Sequence, residues 1–77
     1  MTETYFARIV DVLPSRVVAT IAMNDNSAPL VRTLDSMPMV GVIELKAGNT
    51  FKITIETNPG EVITKYSPAE KSEYVEL

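Results

Sequence analysis

Residues 51–66 read FKITIETNPGEVITKY and carry the clearest secondary-structure pattern in the chain. Its first half alternates apolar Phe51, Ile53 and Ile55 with polar residues, which is the pattern of a strand with one buried and one solvated face. Asn-Pro-Gly follows at residues 58–60, with proline at the second and glycine at the third position of a type II turn. The sequence therefore predicts a β-hairpin with a type II turn at its tip.

Strand-forming residues continue outward from this hairpin toward the N-terminus. Val, Ile and Thr make up 23 of the 77 residues, and these types suit the half-buried surface of a sheet. The predicted strands are residues 5–13, 16–23, 30–34, 51–57 and 61–66. Residues 35–46 fit a helical turn, a buried loop or a bent strand, because Pro38 and Gly41 interrupt their apolar run.

These strands predict one all-β domain over residues 1–77, a small five-stranded partly open barrel that is OB-like or of the Sm or Src-homology type. A chain of this length buries roughly 60–65% of its unfolded surface, so it builds a single core. The predicted core consists of Phe6, Ile9, Val12, Val17, Ala19, Ile21, Leu34, Val42, Leu45, Phe51, Ile53, Ile55, Val62 and Tyr66. A capping-box pattern around Pro68 leads us to expect a short C-terminal helix or a frayed tail over residues 67–77.

The composition removes most kinds of chemistry. The chain has no Cys and no His, so it lacks a disulfide framework, a thiolate metal site, a cysteine nucleophile and a histidine acid or base. Its three glycines are isolated, and no glycine-rich phosphate loop is present. We therefore expect no enzymatic activity and no catalytic, metal or cofactor site. The acidic, polar N-terminus and the lack of an apolar run of about 20 residues favour a cytoplasmic protein with no membrane partner.

Two sets of residues are candidates for a binding surface. The first combines basic and aromatic side chains, as single-stranded nucleic-acid binding requires: Tyr5, Arg8, Arg16, Arg32, Lys52 and Tyr66. A net charge of −3 disfavours a nucleic-acid partner, and cross-strand pairing with acidic residues is the alternative role of these cations. The second set consists of side chains suited to a protein interface: Met23, Met37, Met39 and Tyr74. The alternative is that the methionines fill gaps in the core.

Two short segments resemble OB-fold domains of the translation-initiation-factor-one class. Residues 9–15, Ile-Val-Asp-Val-Leu-Pro-Ser, are similar to the first strand and turn of those domains. Residues 45–53, Leu-Lys-Ala-Gly-Asn-Thr-Phe-Lys-Ile, are similar to the leucine–lysine–x–glycine–acidic segment that enters their fourth strand. The resemblance spans residues 5–66 and implies a five-stranded barrel. Asn49 stands where the family carries an acidic residue, and the aromatic and histidine positions that the family uses against RNA have no counterpart in this chain.

Three hypotheses about function follow. The first is a non-catalytic protein-interaction module (an adaptor, small subunit or inhibitor of the kind that phages and mobile elements encode) that binds a basic protein surface. Its basis is the acidic balance of the chain, since opposite charge steers partners together. The second is an OB-like single-stranded nucleic-acid-binding protein. The third is a structural homo-oligomer subunit whose strand edges pair between chains.

Overall fold

The computed structural model describes residues 1–23 and 27–70, and their fold is all-β. The strands are β1 (Thr2–Val12), β2 (Arg16–Ala22), β3 (Leu30–Asp35), β4 (Thr50–Asn58) and β5 (Glu61–Pro68). A short 3₁₀ helix, Met37–Met39, lies between β3 and β4. The predicted all-β class with five strands is confirmed, and each of the five strands lies where the sequence predicts it, within three residues at either end.

The five strands form one antiparallel sheet in the order β3-β2-β1-β4-β5. Strands β1 to β3 are consecutive neighbours, and β4 returns through the long connection 36–49 to lie on the other side of β1. This is the spatial order of a Greek key, to which the β4–β5 hairpin adds a fifth strand. Within the described residues, β3 and β5 are therefore the two edges of the sheet.

The core covers one face of this sheet, here called the inner face. The register places Ala7 opposite both Ile21 and Phe51. Paired residues point to the same side of a sheet, so these three side chains and every second residue from them along a regular strand lie on the inner face. The buried core residues are Ala7, Ile9, Val17, Ala19, Met39, Ile43, Phe51 and Ile53. The Phe51 and Tyr66 rings lie 6.2 Å apart, tilted by 56°. Phe51 is thus completely buried and contacts an aromatic partner across the hairpin.

The core prediction is wrong for two residues of β1, Phe6 and Val12. Phe6 lies on the outer face, opposite Lys52, because the regular ladder of β1 places Ala7 and Ile9 on the inner face. Val12 is 39% exposed. It follows a β-bulge at Val10, where the register between β1 and β2 shifts, and β1 ends at Val12 itself.

The other two errors concern valines outside the centre of the sheet. Val62 is 64% exposed, since it lies next to the turn that joins β4 and β5, beyond the core. Val42 is also exposed, whereas its neighbour Ile43 is buried. The carbonyl of Met39 accepts hydrogen bonds from the amides of both Val42 and Ile43, each at 3.0 Å. In this tight turn Ile43 and Met39 supply the buried side chains.

The C-terminal capping-box pattern does not start a helix at Pro68. Strand β5 continues through Pro68, which pairs with Phe51. The Thr50 hydroxyl then donates a hydrogen bond of 2.8 Å to the carbonyl of Ala69. The remainder of the predicted helix or tail, residues 71–77, lies outside the described residues.

The turn between β4 and β5 supports a prediction about Gly60. Its φ of +78° is a conformation that side-chain-bearing residues rarely adopt, and a Cβ there meets nothing within 4 Å. We expect Gly60→Ala to lower the free energy of unfolding by about 1–2 kcal/mol, because the cost is purely conformational. Urea denaturation measures it. Gly60→Asn is the control, with a smaller loss, because asparagine tolerates positive φ. Equal stability of Gly60→Ala and the native chain would contradict this account.

Candidate functional site

The connection between β3 and β4 crosses one end of the sheet and is tied to it by backbone hydrogen bonds. The amide of Ser36 donates to the carbonyl of Ser15 in the β1–β2 turn at 3.2 Å. The amide of Gly48 donates to the carbonyl of Ile9 at 2.7 Å, and the amide of Ile9 donates to the carbonyl of Asn49 at 2.8 Å. The last residues of β1, the β1–β2 turn and the connection 36–49 therefore lie at the same end of the molecule.

This end carries six large apolar side chains that remain exposed, and we call them the apolar end. Its members are Val10, Val12, Leu13, Met37, Val40 and Val42. The most exposed are Met37 at 76% and Val40 at 63%. The bulge in β1 and the tight turns of the connection account for this exposure, because both interrupt the alternation that buries every second residue of a strand.

Charged residues lie among the members of the apolar end. Asp11, Asp35 and Glu44 are exposed there, together with the cations Arg16 and Lys46. Asp35 also accepts a hydrogen bond of 2.9 Å from the amide of Met37, which fixes the start of the 3₁₀ helix. The carboxylates thus outnumber the cations around these exposed apolar side chains.

A second feature is a groove of about 210 Å³ on the inner face. Its lining residues are Tyr5, Ile21, Met23, Leu30, Arg32, Ile53 and Ile55. Arg32 is the charged residue among them and lies on the edge strand β3. Met23, predicted as an interface residue, is half-buried in this lining.

The six basic and aromatic candidates do not form one surface. The register places Tyr5, Arg32 and Tyr66 on the inner face, in line with core residues of the neighbouring strands. Arg8, Arg16 and Lys52 lie on the outer face, opposite Thr20, Asp35 and Phe6 respectively. The sheet therefore separates one half of the predicted set from the other.

The interface candidates also differ from one another. Met37 is largely exposed and belongs to the apolar end, whereas Met39 is completely buried. Met39 therefore takes the alternative role considered for the methionines, which is filling the core. Tyr74 lies outside the described residues. Sequence reasoning missed Val40 as a surface residue, although Pro38 and Gly41 on either side signal a break in regular structure.

Two hollows with mixed polar and apolar linings lie near the same end of the sheet. The larger, of about 670 Å³, is lined in part by Glu44, Thr50 and Glu70. The Asn49 side-chain amide donates a 2.9 Å hydrogen bond to the carbonyl of Glu44 beside it. Within residues 1–23 and 27–70, no group of three or more Asp and Glu side chains is close enough to hold a metal ion.

The pKa of the Tyr66 hydroxyl depends on the position of this residue over the core. Burial raises the pKa of its hydroxyl above the ordinary 10.0, and the negative charge of Asp35 raises it further. Because the pKa is higher in the folded than in the unfolded chain, the protonated hydroxyl stabilises the fold. This contribution to the free energy of unfolding is fully present below pH 10. It is lost as the pH rises through the pKa that Tyr66 has in the folded chain.

We therefore expect the free energy of unfolding to fall as the pH rises above about 10, and Tyr66→Phe to remove part of that fall. Urea titrations at about pH 9 and about pH 11 measure both proteins under the same conditions. Deprotonation of lysines is common to the two, so the difference between them isolates Tyr66. An identical pH dependence in the native chain and the variant would contradict the assignment.

No family model, curated protein or solved structure matches this chain. Over the described part of the chain, no helix has the length and apolar character needed to cross a membrane.

Proposed function

We propose that this chain is a non-catalytic protein-interaction module, an adaptor, small subunit or inhibitor, that binds its partner through the apolar end. The observation that carries the proposal is the exposure of six large apolar side chains at one end of a 77-residue chain. Apolar side chains scattered singly over a surface are ordinary, whereas their concentration in one region is typical of an interaction site. Met37 and Val40 have the greatest exposed fractions and would form the centre of the contact.

The charges around this surface indicate the chemistry of the partner. Asp11, Asp35 and Glu44 lie among its apolar residues, and the chain as a whole carries a net charge of −3. A partner with an apolar centre and a basic rim complements both features. Opposite charges at the rim mainly accelerate the encounter, while apolar contacts at the centre hold the complex.

The experiment compares two variants whose substituted side chains are equally exposed. Val40 of the apolar end is 63% exposed, and Val62 beside the β4–β5 turn is 64% exposed. Val40→Asp and Val62→Asp therefore add the same charge at sites of equal exposure, one inside the proposed interface and one outside it. Each variant and the native chain are immobilised and used to capture proteins from the host cell.

We expect the native chain and Val62→Asp to capture a protein with a basic surface. Val40→Asp should fail to capture it. The purified partner is then titrated against all three proteins, with a loss of about tenfold or more in affinity expected for Val40→Asp. Equal affinity for the two variants, or capture of no such protein, would count against the apolar end.

The two other hypotheses give different results in parallel measurements. A fluorescent single-stranded oligonucleotide that binds at micromolar protein, with affinity falling steeply in salt, would favour nucleic-acid binding instead. The separation of Arg8 and Lys52 from Tyr5 and Tyr66 on opposite faces makes that result unexpected. Light scattering that reports a stable oligomer at micromolar concentration would favour the structural homo-oligomer, whose edge strands pair between chains.

A further inference from the structure

The edge strand β3 and the inner groove adjoin each other. Within the described residues, β3 pairs only with β2, so its other side presents backbone N–H and C=O groups that no strand covers. Such an edge is a template for pairing with an added strand. Leu30 and Arg32 belong to this edge strand and also line the groove. A strand added to β3 would therefore pass directly beside the groove.

The size of the groove suits one side chain. Its volume of about 210 Å³ is below the 300–1,000 Å³ that is typical of sites for drug-sized ligands. Ile21, Ile53 and Ile55 form an aliphatic wall, and the flexible thioether of Met23 lets the lining adapt. The groove thus fits a single apolar side chain carried by a longer ligand.

Arg32 places a positive charge at the rim of this groove. Its side chain is exposed, and it has neither a side-chain hydrogen bond nor an ion pair with any residue that the structure describes. The residue directly opposite it on β2 is Ala19, which offers no compensating charge. A guanidinium in this position favours a carboxylate, which it binds with two parallel hydrogen bonds.

We propose that β3 binds an extended segment of a protein partner as an added sixth strand. An apolar side chain of that segment enters the groove, and an acidic side chain two positions away lies beside Arg32. Residues i and i+2 of a strand point to the same face about 6.5–7 Å apart, so both contacts arise from one strand. Backbone hydrogen bonds supply affinity in this mode of recognition, and the two side chains supply specificity.

This surface is separate from the apolar end, and the two proposals can fail independently. Val40 lies in the connection between β3 and β4, whereas Arg32 lies on the inner face of β3. A substitution at one site therefore leaves the contacts of the other in place.

The first test is a titration with a defined probe peptide, acetyl-Thr-Glu-Thr-Phe-Thr-Glu-Thr-amide. Its phenylalanine has a glutamate two residues away on either side, so either strand direction places a carboxylate near Arg32. We expect saturable binding to the native chain and a loss of about tenfold for Arg32→Glu. The matched control is Lys65→Glu, which makes the same change in net charge on the outer face of β5 and should preserve the affinity within about twofold. A peptide with lysine in place of glutamate should prefer Arg32→Glu over the native chain.

The second test asks whether the peptide pairs as a strand. Methylation of alternate peptide amides leaves the side chains intact and removes the donors that a sheet edge requires. We expect the methylated peptide to bind at least tenfold more weakly, and the unmodified peptide to slow amide hydrogen exchange within residues 30–35. Circular dichroism confirms that each variant is folded.

Several outcomes would overturn the proposal. The first is no binding of the peptide at about 1 mM. The second is equal affinity for the methylated and unmodified peptides, and the third is an equal loss of peptide affinity for Arg32→Glu and Lys65→Glu. Binding of phenylpropionate alone as tightly as the peptide would assign the groove to small amphiphiles. A dimer in light scattering with protected amides at residues 30–35 would assign the edge to a second copy of the chain.

Discussion

Phe51→Ala is expected to lower the free energy of unfolding by about 3–5 kcal/mol, the usual cost of truncating a buried phenylalanine. Phe51 is completely buried, lies opposite Ala7 of the central strand and contacts the Tyr66 ring of β5. Domains of this length have a total stability of about 4–12 kcal/mol. The substitution thus removes a large fraction of the stability and leaves a cavity beneath β1, β4 and β5.

Urea denaturation followed by circular dichroism measures this effect. Val62→Ala on the same hairpin is the control, because Val62 is 64% exposed and its truncation should change stability by no more than about 0.5 kcal/mol. Phe51→Leu keeps most of the apolar volume and should lie between the two. Similar losses for Phe51→Ala and Val62→Ala would mean that the hairpin does not pack over the core as described.

Met39→Ala and Met37→Ala are expected to separate folding from binding, although the two residues are almost adjacent. Met39 is completely buried in the core, so its truncation should cost about 2–5 kcal/mol. Met37 is 76% exposed, and its truncation should change stability by at most about 0.5 kcal/mol. Met37→Ala should instead weaken binding of the partner that the apolar end is proposed to recognise.

The pair is measured by urea denaturation and by titration with the captured partner. Stability should fall for Met39→Ala only, and the affinity per folded molecule should fall for Met37→Ala. The reverse pattern, with a stable Met39→Ala and an unstable Met37→Ala, would contradict the burial of Met39 and the exposure of Met37.

The hairpin was predictable because its signals are local. Strict alternation from Phe51 and the Pro59-Gly60 turn fix both strands without reference to the rest of the chain. The core residues of β1 were harder to predict. Phe6 is larger than Ala7, so residue volume favoured burying the face that carries Phe6, and that face is the outer one. The register with β4 decides the matter, and it is a long-range property. Alternation alone already separates Tyr5 from Arg8, so the division of the basic and aromatic set was a signal present in the sequence.

The apolar end was not predictable from local pattern. Val42 and Ile43 are both apolar and adjacent, and hydropathy cannot tell which one is buried. The outcome depends on the bonds that the Met39 carbonyl accepts from both amides. The bulge at Val10 is likewise a feature of how two strands pair, since it appears as a shift between Ile9 and Asp11 against β2. Features produced by pairing geometry in this way decide which apolar residues reach the surface.

The strand order also has a consequence for the time course of folding. The first strand is the central one, and its second neighbour, β4, pairs Thr2 with Glu56, more than fifty positions later. As the chain leaves the ribosome, the β1–β3 meander emerges with one flank of β1 uncovered, and it stays so until β4, residues 50–58, is made. Loop-closure entropy must be overcome before such distant pairs form, so this sheet should fold slowly for its size. Strand β1 is therefore synthesised before the other four strands and is among the last to be fully paired.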